Sequence, residues 1–525
     1  MNKGDLIGGG RKNPLLSKCN SGTVCGVEAQ TVEIEVSVGS GLNQFAMVGL
    51  PDQAVKESKD RVLTAIANSG FKPIKELITV NLAPADVRKE GPIYDLPIAV
   101  TLLSALNQFR CDDLSEYAMV GELALSGEVR KVRGVLPITL KMRDIGKKGI
   151  LVPWENAKEA SVVEGIDVYP VRSLREAVDF LAGFCFINPI SVDSEKLVAE
   201  NIDGGEDFAD VKGQEMARRA IEIAVAGGHN ILMIGSPGSG KTMLARRIPS
   251  ILPPLTVEEA LEVTRIHSVA GMLRSGLALM TRRPFRAPHH TVSDAGLLGG
   301  GTHPSPGEVS LAHRGVLFLD EFPEFHRNVL EVLRQPLEDG HVTISRVAAS
   351  CDFPSRFMLV AAMNPCPCGY ANDAVHQCRC SHRMVHNYRA RISGPLLDRI
   401  DIQLDVQPVK VEELQGLKGG ESSAEIRKRV MAARRIQQNR FAGIPGVHCN
   451  AEMRAKDILE FCKLDEAASR RMKSIITELD LSARAYERVL KVARTIADLA
   501  GEEGVSEMHV FEASSYRSLD RSYWG

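Results

Sequence analysis

The chain has 525 residues, too many for one hydrophobic core to organise, so two to four domains are expected. Hydrophobic residues make up 44% and charged residues 25%, ordinary values for a soluble globular protein. The formal net charge of −2 excludes a global basic field, so any nucleic-acid binding has to come from local patches or a ring-lined channel.

No apolar run approaches the roughly 18 to 20 residues that a membrane span needs. The N-terminal MNKGDLIGGGRKN lacks the apolar stretch of a secretory signal. Without such a signal, the eleven cysteines argue for metal binding or burial over a disulfide scaffold. A cytoplasmic protein with no membrane partner is expected.

Residues 1–20 are expected to form a flexible tail, Gly-rich and charged through residue 14. Residues 21–185 read as an α/β domain. TVEIEVSV alternates as a strand does, and VKESKDRVLTAIANSG places Val55, Val62, Leu63 and Ile66 on one helical face. ELITVNLAP continues as a strand and DLPIAVTLLSAL as a helix. YAMVGELALSG, a helix near 134–145, KGILVPW and a closing helix at 173–182 follow. The polar, weakly patterned segment 186–207 reads as a linker. A second α/β block spans 208–410. Residues 411–525 read as a helical lid, entered through the loop LKGGESS at 417–423.

The second block carries the chemistry. GSPGSGKT comprises Gly235, Ser236, Pro237, Gly238, Ser239, Gly240, Lys241 and Thr242, and fits G-x-x-x-x-G-K-[ST] at every position. It follows the apolar strand NILMI and precedes the helix MLARRI, the strand–loop–helix context the motif requires. Glycines let backbone N–H groups turn inward around phosphate oxygens at a helix N-terminus. Lys241 then reaches the β- and γ-phosphates of ATP, and the Thr242 hydroxyl ligates Mg²⁺. About 80 residues on, GVLFLDE is a buried strand ending in two carboxylates. Asp320 would hold the magnesium shell and Glu321 would act as general base; outside this context the pair reads as a capped strand end.

LVAAMNP ends a third apolar strand at Asn364, suited to orient the attacking water, or else an Asn-Pro turn. In GPLLDRID, Arg399 is a candidate arginine finger for a neighbouring subunit, or a surface ion-pair residue. Arg484, near the start of LSARAYERVLKVARTIADLA, is placed to reach back to the γ-phosphate.

Together these segments resemble an AAA+ module of the magnesium-chelatase type. GLPDQAVKESKDRV, ITVNLAPADVRKEGPIYDLPIA, RPFRAPHHTVSDAGLLGGG, PGEVSLAHRGVLFLDEFPEF and AAMNPCPCGY occur in order and look like the ComM/YifB family of chelatase-related ATPases. The resemblance implies a P-loop ATPase core with a helical lid and a homohexameric ring. It also implies a helix-2 insert near 265–300 and a pre-sensor-1 hairpin near 341–357. It further implies branch migration of single-stranded or branched DNA in natural transformation. The first block, in ALSGEVRKVRGVLPITLKMRDIGKKGILVPWENAKE, looks like the proteolytic domain of Lon-type proteases, an α/β domain similar to ribosomal protein S5 domain 2. The segment expected to supply its serine reads GPIYD, and the expected lysine aligns with Leu136. A Ser-Lys dyad needs both partners, so this domain is expected to be a non-proteolytic scaffold or DNA platform. The rival readings are a chelatase motor subunit and, less favoured, an ATP-dependent protease.

Cys366, Cys368, Cys378 and Cys380 form C-x-C, nine residues, C-x-C. Four thiolates in 15 residues suit a tetrahedral structural Zn²⁺; reduced, metal-free loop thiols are the alternative. His376 and His382 are alternative ligands or plain loop residues, and the other seven cysteines are expected to be buried. His289 and His290 are adjacent, and adjacent residues rarely reach one ion, so a structural or DNA-contacting role is expected. Arg283, Arg286 and Arg346 are candidate phosphate contacts. The basic stretch 427–440 is either a solvated face or a DNA contact.

Overall fold

The computed structural model describes residues 15–39, 44–200, 205–274, 276–301, 304–345, 350–371, 373, 376–408, 419–479, 482–519 and 524. The chain divides into two compact units: residues up to 197 together with 260–280, and residues 198–259 with 281 onward.

The first unit is built on β1 (Leu15–Cys25), β2 (Glu28–Gly39), β3 (Gln44–Val48), β4 (Leu77–Ala83), β5 (Tyr117–Met119), the short hairpin β6 (Glu122–Leu123) and β7 (Val129–Arg130), β8 (Gly149–Pro153) and β9 (Asp167–Val171). Seven of them form one mixed sheet in the order β3-β4-β2-β1-β5-β8-β9. In β2, Val32, Ile34, Val36 and Val38 are buried and their neighbours are not, the period-two pattern of a half-covered strand.

β1 starts at Leu15, inside the expected tail of residues 1–20. It pairs with β2 from Leu15↔Val38 to Cys25↔Glu28 and buries Cys19 and Ser21. LLSKCNSGTVC alternates poorly, so the strand is set by its partner rather than by its own pattern. Residues 1–14 lie outside the described residues.

The helix Gln53–Asn68 starts at Asp52, whose Oδ1 accepts the Val55 N–H at 2.7 Å. It buries Val55, Val62 and Ile66 and leaves Leu63 half-buried. Residues 260–280 belong to this unit: Gly134 N–H donates to Ser268 O at 3.2 Å, and Lys131 Nζ to Leu273 O at 2.9 Å. The segment read as a linker, 186–207, carries the helix Ser194–Glu200, with Asp193 Oδ1 accepting the Lys196 N–H at 3.0 Å.

The second unit contains β10 (Ile231–Ile234), β11 (Phe285–Arg286), the hairpin β12 (Gly299–Gly300) and β13 (Ser305–Pro306), and β14 (Val316–Leu319). The hairpin β15 (His341–Ser345) and β16 (Ser350–Pro354), then β17 (Met358–Met363) and β18 (Ile402–Asp405), complete it. Its central sheet runs β11-β14-β17-β10-β18, parallel throughout. Such strands are covered on both faces and read as unbroken apolar runs, as ILMI, VLFL and MLVAAM do.

The insert expected near 265–300 contains β11, a core strand beside β14, and residues 260–280 pack in the first unit. Two residues are too short a strand for periodicity to reveal. The hairpin at 341–354 falls in the expected stretch, while Arg346 lies outside the described residues. The helices Ser423–Arg440, Ala483–Ala500 and Glu507–Ser515 place Ile426, Val430, Val489, Ile496 and Val510 in the same apolar cluster as Ile231, Val360 and Ile402. The C-terminal helices thus share the core of the sheet that carries the nucleotide motifs.

Candidate functional site

Parallel strands bring their C-terminal ends to one edge, and β10, β14 and β17 are neighbours there. β10 runs into the loop 235–240 and then the helix Lys241–Ile251. Gly238 and Gly240 take φ of 79° and 93°, conformations that favour glycine. A Cβ on Gly235 would lie 2.3 Å from Val406 O, so that position admits no side chain.

Lys241 is buried, and its ammonium donates to Gly235 O at 2.7 Å, Ser236 O at 3.0 Å and Asn364 Oδ1 at 3.3 Å. Burial lowers its pKa against the pull of Asp320. Thr242 Oγ1 donates to Asp320 Oδ2 at 2.7 Å. A hydroxyl and a carboxylate oxygen at that separation are the hard donors that Mg²⁺ takes. The structure therefore brings together Lys241, Thr242, Asp320 and Asn364, residues up to 123 positions apart.

Glu321 turns away from β14 with φ 53°. Its N–H donates to Asp320 Oδ1 at 2.9 Å, and its carboxylate lies 3.0 Å from His290 Nδ1. His290 is in turn packed on His289, with ring centroids 4.1 Å apart, and edge-on to Phe325. The contact with Glu321 was not legible in the sequence, where the histidine pair suggested only a structural or DNA role.

Arg399 is nearly buried; it donates to Pro395 O at 2.6 Å and pairs with Glu338. The Arg399 hydrogen bond, with Arg484 and Arg334 adding their charges, holds the Glu338 carboxyl below its usual range. Among the described residues, neither Arg399 nor the exposed Arg484 makes a hydrogen bond to Lys241, Thr242, Asp320 or Asn364. Glu338 is a partner that the sequence did not single out.

The four cysteines of the C-x-C pairs meet. Sγ atoms of Cys366 and Cys368 are 3.4 Å apart, those of Cys368 and Cys378 3.6 Å, and those of Cys366 and Cys378 3.8 Å. All four sulfurs lie within 4.8 Å of one another. These are not disulfide distances, which would be about 2.05 Å. Four sulfurs about 2.3 Å from a tetrahedral zinc are about 3.8 Å from each other, so the residues fit that ion. Backbone N–H groups of Arg379 and Tyr370 aim at Cys368 and bring its thiol down to about 6. His376 is occupied by Asp373 at 3.3 Å and by the Tyr370 ring, and His382 opens a helix; neither joins the sulfurs. Of the seven other cysteines, Cys19, Cys351, Cys449 and Cys462 are buried, Cys25 and Cys111 partly so, and Cys185 is exposed, against the expectation of general burial.

The basic candidates are largely structural. Arg283 donates to Pro253 O and Arg314 O and pairs with Glu259 at 2.7 Å, while Arg286 makes a two-point pair with Glu308, both bonds 2.7 Å. In the 427–440 stretch, Arg427 binds Ser250 O, Arg429 binds Glu222 and Glu421, Arg434 binds Val225 O, and Arg440 binds Asp498. In the first unit, Leu136 and, within the GPIYD segment that the resemblance aligns with the protease's serine stretch, Ile93 are buried apolar residues. The adjacent Asp95 is also buried and is paired with Arg61 at 2.7 Å; burial raises it to about 6.

Three family models match the chain: magnesium chelatase, subunit ChlI, over residues 207–414; subunit ChlI of Mg-chelatase over 34–156; and the ChlI C-terminal model over 420–517. The chain is 44% identical over 501 residues to competence protein ComM of Haemophilus influenzae, covering 94% of this chain and 96% of that protein. It is 43% identical over 508 residues to the uncharacterized protein YifB of Escherichia coli, covering 96% and 98%. The chain belongs to the ComM/YifB family of magnesium-chelatase-type AAA+ ATPases. Over 165 residues, 28% of this chain, it is also 28% identical to Lon protease 2 of Bacillus subtilis, consistent with a Lon-like domain ahead of the AAA+ core. Membership in this AAA+ family implies ATP and Mg²⁺, and family members typically assemble as oligomers. Among the described residues no helix is long and apolar enough to cross a membrane.

Proposed function

We propose that this ComM/YifB-family chain is a ring-forming, cytoplasmic ATPase that couples hydrolysis to movement along single-stranded or branched DNA, as a branch-migration helicase in natural transformation and recombination. The observation that carries the motor half is the meeting of Lys241 with Asn364 and of Thr242 with Asp320 at one sheet edge. The DNA half rests on similarity to a competence protein over nearly the whole chain.

In this reading Lys241 would neutralise the β- and γ-phosphates, and Thr242 and Asp320 would hold a Mg²⁺ that offsets phosphate charge. Asn364 orients the attacking water and Glu321 accepts its proton. His290, already on the Glu321 carboxylate, sets where that base points. Arg399 of one subunit stabilises the transferred charge in its neighbour after leaving Glu338, and Arg484 contacts the γ-phosphate from the lid. The four cysteines hold one structural zinc per chain, a reading their sulfur spacing supports.

ATPase rate with and without single-stranded DNA, paired with branch migration on a labelled three-stranded junction, tests the DNA half. Stimulation and migration are expected. Robust hydrolysis that DNA never alters would favour a chelatase-type motor instead. Elemental analysis of protein purified without added metal tests the zinc; a content near zero, with all four thiols alkylated in folded protein, would overturn it.

A further inference from the structure

The phosphate-binding loop and the cysteine loop are in direct contact. Gly369, the residue after Cys368, has φ 87°, and a Cβ built on it would lie 2.6 Å from both Cγ and Cδ of Pro237. Ordinary carbon contacts are about 3.5–4.0 Å. Glycine is required there twice over, by backbone conformation and by the proline ring seated against it.

Two more ties hold the same stretch. Gly235 N–H donates to Met363 O at 3.2 Å, and Lys241 Nζ reaches Asn364 Oδ1 at 3.3 Å. The chain from Met363 to Gly369 thus touches the phosphate-binding loop at its first residue, its third and its lysine. Cys366 lies fully buried between these contacts. Gly369 N–H donates to Cys366 O at 2.9 Å, and Ala371 N–H points at Cys366 Sγ at 3.3 Å. The turn that puts Gly369 on Pro237 is therefore the turn that gathers the sulfurs of Cys366 and Cys368. The four residues from Cys366 to Gly369 thus serve both the first cysteine pair and the contact with Pro237.

We propose that the metal-loaded cysteine loop is a positioning element for the phosphate-binding loop, acting through Gly369 on Pro237. This rests on the zinc reading above. Zinc binding fixes the turn, the turn holds Pro237, and Pro237 keeps the N–H groups of the loop facing the phosphates. Linkage makes the effect reciprocal: nucleotide must also tighten the hold on zinc. Gly369 and Pro237 touch neither the reacting atoms nor the metal in this account. They are positioning residues.

The test uses the full chain. Zinc affinity is measured by competition with a coloured chelator at equilibrium, with and without saturating ADP, and ADP affinity is measured before and after metal removal. Nucleotide should tighten zinc binding about tenfold, and metal-free protein should bind ADP about tenfold more weakly, within the roughly 5- to 150-fold span of couplings between sites. Because metal-free protein can lose its fold, a second arm keeps the metal: Gly369→Ala should retain one zinc yet bind ADP several-fold more weakly. Combined with Pro237→Ala, which removes the clashing ring, it should lose less than the sum of the two single changes.

An additive cycle would assign the Gly369→Ala effect to backbone strain alone and overturn the proposal. So would a zinc affinity indifferent to nucleotide in protein that holds one zinc. Absence of zinc from the purified protein is a different failure. It sinks the metal reading, and with it the metal's part here, while the Gly369–Pro237 cycle still decides whether the two loops are coupled.

Discussion

The two units each carry an α/β sheet, mixed in the first and parallel throughout in the second, and the residues at their candidate sites differ in kind. In the second unit the edge where β10, β14 and β17 end carries Lys241, Asp320 and Asn364, each held by a polar partner. In the first unit, the GPIYD segment and Leu136, which the resemblance aligns with a Lon-type protease's serine stretch and lysine, supply neither residue, and Ile93 and Leu136 are buried. A fold supplies positions, and the chemistry lives in which side chains occupy them. A shared α/β class therefore does not carry the chemistry of one unit over to the other.

The sharpest way to break this contrast is to remove the polar groups. Lys241→Ala should reduce ATP turnover by at least about 100- to 1000-fold, the scale of losing one preorganised charge-stabilising donor. Glu321→Gln should cost about 10²- to 10⁴-fold in turnover while ATP binding survives, as expected for loss of a general base. A Glu321→Gln protein that hydrolyses ATP at the normal rate would falsify its assignment as base.

Arg399 extends the contrast from one chain to an assembly. Mixing Arg399→Ala subunits with Lys241→Ala subunits should restore part of the ATPase activity, since mixed rings contain interfaces where both intact halves meet. Titrating one variant into the other reads this directly. No recovery at any ratio, with mixed rings demonstrated by native mass spectrometry, removes Arg399 as the finger.

In the first unit the expected effect is on stability. Leu136→Ala should cost about 2–5 kcal/mol, as truncation of a buried leucine does, and should lower that unit's calorimetric transition. ADP affinity should stay as in the parent chain. A loss of ADP binding without a stability change would mean that the first unit takes part in nucleotide chemistry.

The smallest effect is pH-dependent. His229 and Asp401 lie fully buried, 3.5 Å apart, with Arg488 2.8 Å from Asp401. Burial depresses the His229 imidazole. Although burial opposes it, Arg488 and then His229 hold the Asp401 carboxyl well below the usual range. The unfolded chain therefore binds more protons, at His229 below about pH 6.5 and at Asp401 below about pH 4. Stability of the second unit should fall as pH drops through these windows, by at most about 1.4 kcal/mol per pH unit for each proton. Denaturant titrations at pH 7, 6 and 5 should show the first step, and His229→Gln should flatten it.

What could be read without coordinates was whatever the chemistry packs into consecutive residues. GSPGSGKT carries its own turn, donors and charge within eight positions, and GVLFLDE announces a buried strand with acids at its end. The helix Gln53–Asn68 and the alternating β2 were legible for the same reason, because a regular period repeats within one element. β1 and β11 were not, since the first takes its register from β2 and the second is two residues long.

Encounters between distant residues required the tertiary structure. Asn364 meets Lys241 only because β17 lies beside β10 in parallel register, a pairing that neither segment encodes alone. The same holds for His290 on Glu321 and Gly369 on Pro237. The arginines teach the converse. As letters, Arg283 and Arg286 looked available for phosphate and the stretch 427–440 for DNA or solvent, but folding placed Glu259, Glu308 and Glu222 against Arg283, Arg286 and Arg429. A charge read from sequence has no partner until the chain has closed around it. Ion pairing is decided by neighbours in space, whereas a phosphate-binding turn is decided by neighbours in sequence.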